Sequence, residues 1–181
     1  EIFLKLISES DVFVENFRPG SLKKLNLDYE DIKKVNPKII HCSISGFGKT
    51  GPYSNRAGFD LVAQGMSGLM SITGTPDSPP VKVGVPISDL NGGVYAMYGI
   101  LSAYIHLLKT GEGQYVESSL LESSLAYTVW ESSIYFSTGE IPSPMGSAHR
   151  LSAPYQAVKT KDDYINIGAP NQSNWERLTM A

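Results

Sequence analysis

The sequence predicts an α/β protein built on a parallel sheet, followed by the start of a second, smaller α+β domain. Short apolar runs suited to buried strands alternate with segments of helical spacing, and prolines and glycines cluster at residues 139–153. With 41% hydrophobic and 18% charged residues, the chain has enough apolar surface for a folded core. We therefore expect a partial large α/β domain at 1–138, a linker at 139–153 and the start of a small domain at 154–181.

The first quarter of the chain predicts a βαβ unit. We expect a helix at 1–8, a strand at 11–15 and a short helix at 21–25, followed by a helix at 29–35 and a strand at 38–45. Asp28 is a good N-cap for the helix at 29–35, and Asp31 occupies the capping-box position. Strands joined through a helix in this way are expected to lie parallel with a right-handed crossover.

The middle of the chain predicts a loop and then an alternation dominated by helices. We expect a loop at 46–58, a helix at 59–72 and an extended segment at 81–85. A long helix at 90–109, a strand at 114–119 and a helix at 120–136 are expected to follow. The long helix is apolar on nearly all sides, which predicts that it is buried.

The last part of the chain predicts a β-hairpin and a helix. Two short strand-like runs, 155–158 and 164–167, flank the polar segment Lys159–Asp163, and a helix is expected from Gln172. Because the chain begins without a methionine and closes inside an amphipathic helical pattern, we expect it to be a fragment of a longer protein.

Composition excludes several classes of protein. The net charge is −3 and the 15 lysines and arginines are spread along the chain, which does not support a nucleic-acid partner. No apolar stretch reaches the roughly 18 residues of a membrane span. The single cysteine excludes an intrachain disulfide, and the three scattered histidines do not predict a metal site. A reducing, cytoplasmic location is therefore expected.

One glycine motif imitates a nucleotide site. The segment Gly46–Gly51 fits G-x-G-x-x-G after a predicted strand, but Pro52 follows at once and no helix opens there. The similarity to a P-loop also fails, because the required first glycine would fall at Ser43. A dinucleotide fold is therefore not favoured.

The segment Ser88-Asp89-Leu90-Asn91-Gly92-Gly93 carries the most chemical information. It places a carboxylate at or next to the N-terminus of the long helix, where free N–H groups and the helix dipole favour its ionised form. Gly92 and Gly93 remove side chains from the first turns, which would let a ligand approach the backbone. The alternative is that Asp89 is only a helix cap and the two glycines serve packing.

Six blocks in this sequence resemble, in order, those of the class III coenzyme A transferases. They are Asp11–Gly20, Ser43–Gly48, Arg56–Asp60, Ser88-Asp89, Lys109–Gln114 and Ala153–Gln156. The resemblance implies a Rossmann-like parallel-sheet domain with a second, smaller domain, and a homodimer of two interlocked subunits. It also implies that this chain lacks an N-terminal segment and most of the second domain, so that the fragment alone would be inactive.

The resemblance assigns roles to particular residues. Asp89 matches the nucleophile that forms a covalent aspartyl intermediate while coenzyme A moves from an acyl-CoA to a small carboxylic acid. The positions that match the coenzyme A site are Asn16, Phe17, Arg18, Lys24, Ala57, Gly58, Phe59 and Asp60. Alternative roles stay open for three of them: core packing for Phe17, an exposed helix face for Lys24, and a helix N-cap for Asp60.

Two other functions are compatible with the resemblance. Racemases of 2-methylacyl-CoA belong to the same family, but they carry a histidine in the block where this chain has Phe59, and a phenyl ring moves no proton. His41 or His149 would restore that chemistry only if the fold brought one of them to Asp89. A non-catalytic protein that only binds coenzyme A is the other alternative, and the presence of Asp89 argues against it.

Overall fold

The computed structural model describes residues 1–180 and contains the predicted parallel sheet. Strand β1 (Val12–Glu15) pairs in parallel with β2 (Ile40–Ser45), which pairs in parallel with β3 (Tyr115–Ser119). Cys42 lies opposite Val14 on one side and Val116 on the other. The three predicted strands and their parallel arrangement are therefore confirmed.

Among the described residues, eight α-helices lie between residues 2 and 138. They are α1 (Ile2–Ser8), α2 (Ser21–Lys24), α3 (Tyr29–Val35), α4 (Asp60–Met66), α5 (Leu69–Ile72), α6 (Ile87–Thr110), α7 (Leu120–Leu125) and α8 (Val129–Thr138). The Asp28 carboxylate caps α3 by accepting the Asp31 N–H at 3.2 Å, as the sequence predicts.

The two faces of the sheet are covered by different helices. On one side Ile7 of α1, Ile32 of α3 and Ile39 form a buried cluster. On the other side Ile40 packs against Ala103 and Leu107 of α6. This arrangement leaves the carboxyl ends of β1 and β2 free to border a ligand site, as in other open parallel sheets.

Two predicted helices are interrupted. The helix expected at 59–72 is divided into α4 and α5 at Gly68, whose φ of +87° is left-handed and ends a regular helix. The helix expected at 120–136 is divided into α7 and α8 by a 3₁₀ turn, Ala126–Thr128, where the Thr128 hydroxyl donates to the Leu125 carbonyl. The predicted extended segment at 81–85 joins no sheet within the part of the chain that is described.

Helix α6 differs from its prediction in two respects. It begins at Ile87, after Pro86, rather than at residue 90. The expectation of burial on nearly all sides is wrong, because small residues such as Ala96 and Ala103 face the sheet while many large side chains point outwards. The large exposed side chains are Leu90, Val94, Tyr95, Met97, Tyr98, Leu101, Ile105 and Leu108.

The segment after α8 contains the predicted hairpin. Strands β4 (Tyr155–Lys159) and β5 (Tyr164–Gly168) pair antiparallel in a sheet separate from the first, and helix α9 (Gln172–Met180) follows. Arg150, in the preceding segment, lies 3.6 Å from Glu131 of α8. Among the described residues, none of the helices has the length and apolar character needed to cross a membrane.

Candidate functional site

A cleft of about 500 Å³ lies between the carboxyl ends of β1 and β2 and the N-termini of α4 and α6. Asp89 lines it, together with seven of the eight residues predicted for the coenzyme A site. Those seven are Asn16, Phe17, Arg18, Ala57, Gly58, Phe59 and Asp60. The fold thus brings together three segments that are far apart in the sequence.

Asp89 is the third residue of α6 and is exposed to the cleft. It is not the helix cap, because Pro86 occupies the N-cap position and no side-chain capping bond is made. The carboxylate accepts no hydrogen bond within residues 1–180, and desolvation, followed by the negative charge of Asp60, raises the pKa of Asp89. The helix-cap alternative for Asp89 is therefore wrong.

Asp60 begins α4 and is held by its neighbours. Its Oδ1 accepts the Ser88 N–H of α6 at 2.9 Å, so it caps the first turn of a different helix rather than its own. The N-cap of α4 is Phe59, which makes no capping bond through its side chain. The alternative in which Asp60 is only the N-cap of the following helix is therefore wrong.

The segment after β1, residues 16–18, lines the cleft. The Asn16 Nδ2 donates to the Ile44 carbonyl at 2.6 Å, and the Phe17 N–H donates to Glu15 Oε2 at 2.7 Å. These two bonds hold the segment after β1 at the carboxyl ends of β1 and β2. The Phe17 side chain is 59% exposed and lines the cleft, so core packing does not describe it.

Two arginines supply positive charge at the cleft. Arg18 was predicted and Arg56 was not, although Arg56 opens one of the blocks that carry the family resemblance. The Arg56 guanidinium lies 4.3 Å from the centre of the Tyr53 ring, an arrangement that orients the side chain. Both guanidinium groups suit phosphates or carboxylates.

Lys24 does not line the cleft. It is exposed on α2, and its neighbour Lys23 lines a second cavity of about 410 Å³ that shares Phe17, Arg18 and other residues with the cleft. Because successive side chains of a helix point about 100° apart, Lys23 lines the cavity while the next residue, Lys24, points away from it. The fold leaves Lys24 apart from the other predicted residues.

The glycines at the site have different roles. Gly46 and Gly58 pack backbone against backbone, and a Cβ on either would collide with the other residue. A Cβ on Gly92 would meet Ile44 and Leu120 at ordinary distances of 3.6 and 3.7 Å. Gly93 lines the cleft and has open space beside it, so only Gly93 leaves the room for a ligand that was predicted for the pair.

None of the three histidines reaches Asp89. His41 is buried and stacks near Phe13, with ring centres 4.9 Å apart. His149 lies between Trp130 and Tyr155, at 4.8 and 5.2 Å between ring centres, and His106 is on α6. Within residues 1–180 none of them lines the cleft. That stretch also contains no cluster of three side chains suited to a metal ion.

A cleft at the ends of a parallel sheet that holds an exposed carboxylate near two arginines suits the class of proteins that bind anionic ligands. Comparison with known proteins identifies the class. The sequence profile of CoA-transferase family III matches residues 1–181, and the chain belongs to that family. The resemblance noted in the sequence is confirmed.

Individual relatives agree. The chain is 42% identical over 174 residues to "Succinate--glutarate CoA-transferase" of Agrobacterium fabrum, covering 96% of this chain and 44% of that protein. It is 44% identical over 175 residues to "Succinyl-CoA:glutarate CoA-transferase" of Homo sapiens, covering 97% of this chain and 40% of that protein. The crystal structure of a CAIB/BAIF family protein from Brucella suis superposes with a TM-score of 0.89 at 41% identity, over 99% of this chain and 47% of that one. The chain spans less than half the length of these relatives.

Proposed function

We propose that the full-length protein is an acyl-CoA:carboxylate CoA-transferase that works through a covalent intermediate on Asp89. The observation that carries this proposal is the Asp89 carboxylate, which lines the cleft without a hydrogen-bond partner in residues 1–180. The names of its relatives describe the same type of reaction.

The proposed reaction has four steps that balance. An Asp89 oxygen attacks the thioester carbonyl carbon, the C–S bond breaks, and coenzyme A departs as its thiolate, which leaves a mixed aspartyl-acyl anhydride. The thiolate attacks the Asp89 carbonyl carbon and releases the donor acid, which leaves an aspartyl-CoA thioester. The acceptor carboxylate attacks that thioester and frees the thiolate again. The thiolate then attacks the acceptor's acyl carbon, which forms the new acyl-CoA and restores Asp89.

The surroundings of Asp89 suit a nucleophile. The pKa of Asp89 is raised, and a carboxylate with a raised pKa is a more basic nucleophile. Desolvation and the charge of Asp60 are the two causes of that shift. Leu120 and Ile44 line the same cleft, and such apolar surface limits the access of water to an anhydride.

Coenzyme A would lie along the segment after β1. Arg18 and Arg56 offer guanidinium groups for its phosphates, and Phe17 and Phe59 offer exposed rings for its apolar arm. Gly93 leaves space for the thioester beside Asp89. Asn16, Ala57 and Gly58 shape the backbone of this route, while Lys24 stays a prediction from the family resemblance.

Short dicarboxylic acids are the proposed donor and acceptor. The support for this class of substrate is that relatives are named for succinate, glutarate and oxalate. We further propose that the full-length protein is a homodimer in the cytoplasm. No metal is required in this proposal, since the steps above use only a carboxylate and a thiolate.

The test uses the full-length protein with succinyl-CoA and a panel of carboxylic acids, and mass spectrometry detects each new acyl-CoA. The proposal predicts transfer to at least one short dicarboxylate. Exchange of the α-proton with solvent deuterium, without transfer, would favour the racemase instead. Binding of coenzyme A without either reaction would favour a non-catalytic member of the family.

A further inference from the structure

Gln64 is buried in α4 and has no role in the reaction steps described above. Its side chain is completely inaccessible to solvent, and both ends of its amide are bonded. Nε2 donates to Asp60 Oδ2 at 2.7 Å, and Oε1 accepts the Val83 N–H at 2.8 Å. Of the two ends of the amide, only the oxygen can accept the N–H and only the nitrogen can donate to the carboxylate, so these two contacts fix the orientation of the Gln64 amide.

The bond to Asp60 extends to the first turn of α6. One oxygen of Asp60 is held by Gln64 and the other accepts the Ser88 N–H at 2.9 Å. Since Pro86 offers no capping side chain, Asp60 supplies the cap for this turn. The residue after Ser88 is Asp89.

The side chain of Ser88 is fixed as well. It is fully buried, its Oγ lies 2.6 Å from the Ser124 Oγ, and that hydroxyl is 2.7 Å from the Leu120 carbonyl. The turn that carries Asp89 is thus bonded to α4 through its backbone and to α7 through its side chain. Gln64 is the buried residue that holds Asp60, and Asp60 in turn joins α4 to the backbone of Ser88.

We propose that Gln64 is a positioning residue for Asp89, because its amide holds Asp60 against the Ser88 N–H and its carbonyl oxygen holds the chain before α6 at Val83. The inference rests on the proposed function and deepens it. Gln64 does not touch the substrate. It orients the carboxylate that both caps the turn and supplies a negative charge beside the nucleophile.

Two substitutions in the full-length protein test this role. Gln64→Met keeps the length of the side chain and removes both hydrogen bonds. Gln64→Glu keeps an acceptor for Val83, but its ionised form cannot donate to Asp60. The matched control is Ser67→Ala, since Ser67 is a buried residue at the end of the same helix. Within residues 1–180 its hydroxyl bonds only the Gln64 backbone carbonyl, at 3.2 Å.

Kinetics separate positioning from binding and from a purely structural role. We expect Gln64→Met to lower kcat by about tenfold or more while the KM for acyl-CoA changes less than about threefold. Gln64→Glu should regain activity relative to Gln64→Met as the pH falls, because a protonated carboxyl donates as the amide does. Of the helices packed against α4, α5 has no ionisable side chain and α7 has Glu122. Helix α6 carries Asp89, Tyr95, Tyr98, Tyr104, His106 and Lys109, and Lys82 precedes the tethered Val83.

Amide exchange tests the same role without relying on activity. We expect exchange of the Ser88 N–H to accelerate at least about tenfold in Gln64→Met and to stay unchanged in Ser67→Ala. Folded Gln64→Met with unchanged kcat and unchanged Ser88 exchange would overturn the inference. Faster Ser88 exchange in a protein that shows no transfer would support the positioning role and overturn only the proposed function.

Discussion

The two helices that open onto the cleft each carry an aspartate in the first turn, and their surroundings differ. Asp60 of α4 is bonded through both oxygens, to the Gln64 amide and the Ser88 N–H. Asp89 of α6 accepts no hydrogen bond in the described residues and is exposed. Hydrogen bonds donated to both oxygens of a carboxylate stabilise its charge and so lower its nucleophilicity. The aspartate without hydrogen bonds, Asp89, is therefore the candidate for covalent chemistry.

The largest effect is expected from removing the unbonded carboxylate. Asp89→Asn should lower kcat at least about 10³-fold, because an amide cannot form the aspartyl intermediate. The matched control is Asp77→Asn, since Asp77 is an exposed aspartate in the turn before α6. Steady-state transfer assays check both variants. Equal activity of Asp89→Asn and the control would break the comparison.

A large effect is also expected from filling the space beside Asp89. Gly93→Leu should raise the KM for acyl-CoA about ten- to a hundredfold, because Gly93 has open space that the cleft includes. Gly92→Ala is the control and should leave KM unchanged. It should also stabilise α6 by roughly 0.5–1 kcal/mol, since alanine restricts the unfolded chain more than glycine does. Measurements of KM and of thermal unfolding check these expectations, and a rise in KM for Gly92→Ala alone would contradict them.

A change in pH dependence is expected from removing the bonded carboxylate's charge. Asp89 must be ionised to attack, so activity falls as the pH drops through its raised pKa. Asp60→Asn removes the negative charge that helps to raise that pKa, so the acid limb of the kcat/KM profile should move to lower pH. Asp77→Asn should leave the limb in place. An acid limb that moves to higher pH in Asp60→Asn would contradict the proposed coupling.

The smallest effect is expected at Lys24. Because Lys24 is exposed and lines neither cavity, Lys24→Ala should change the KM for acyl-CoA less than about twofold in physiological salt. Arg18→Ala, by contrast, should raise it about tenfold. Titration of coenzyme A binding for both variants decides the point. Similar losses for the two would show that the family resemblance places Lys24 correctly and that this cleft is only part of the site.

The sequence predicted those parts of the fold that depend on local pattern. The three strands are short apolar runs bounded by polar residues, and Asp28 caps α3 with a side chain three residues from its partner. Asp89 was found because it combines a helix start with the family blocks. Such features need only neighbouring residues or a known family to identify them.

The remaining features depend on contacts between distant segments. Asp60 caps a helix 28 residues further along the chain, and Gln64 holds a backbone N–H 19 residues away, neither of which has a local signal. The exposed face of α6 could not be read from composition, because apolar residues on all sides of a helix indicate burial only where neighbours cover every side. Arg56 opens one of the family blocks, but a single arginine in a loop has no local pattern that marks it as a ligand-binding residue.

Trapping the covalent intermediate would identify the nucleophile. The full-length protein is incubated with succinyl-CoA and then with hydroxylamine, which converts an aspartyl anhydride or thioester to a hydroxamate, and peptides are mapped by mass spectrometry. The account predicts a hydroxamate at Asp89, absent without acyl-CoA and retained in Asp77→Asn. Efficient transfer with no modification at Asp89, or with modification of Asp60 instead, would contradict it.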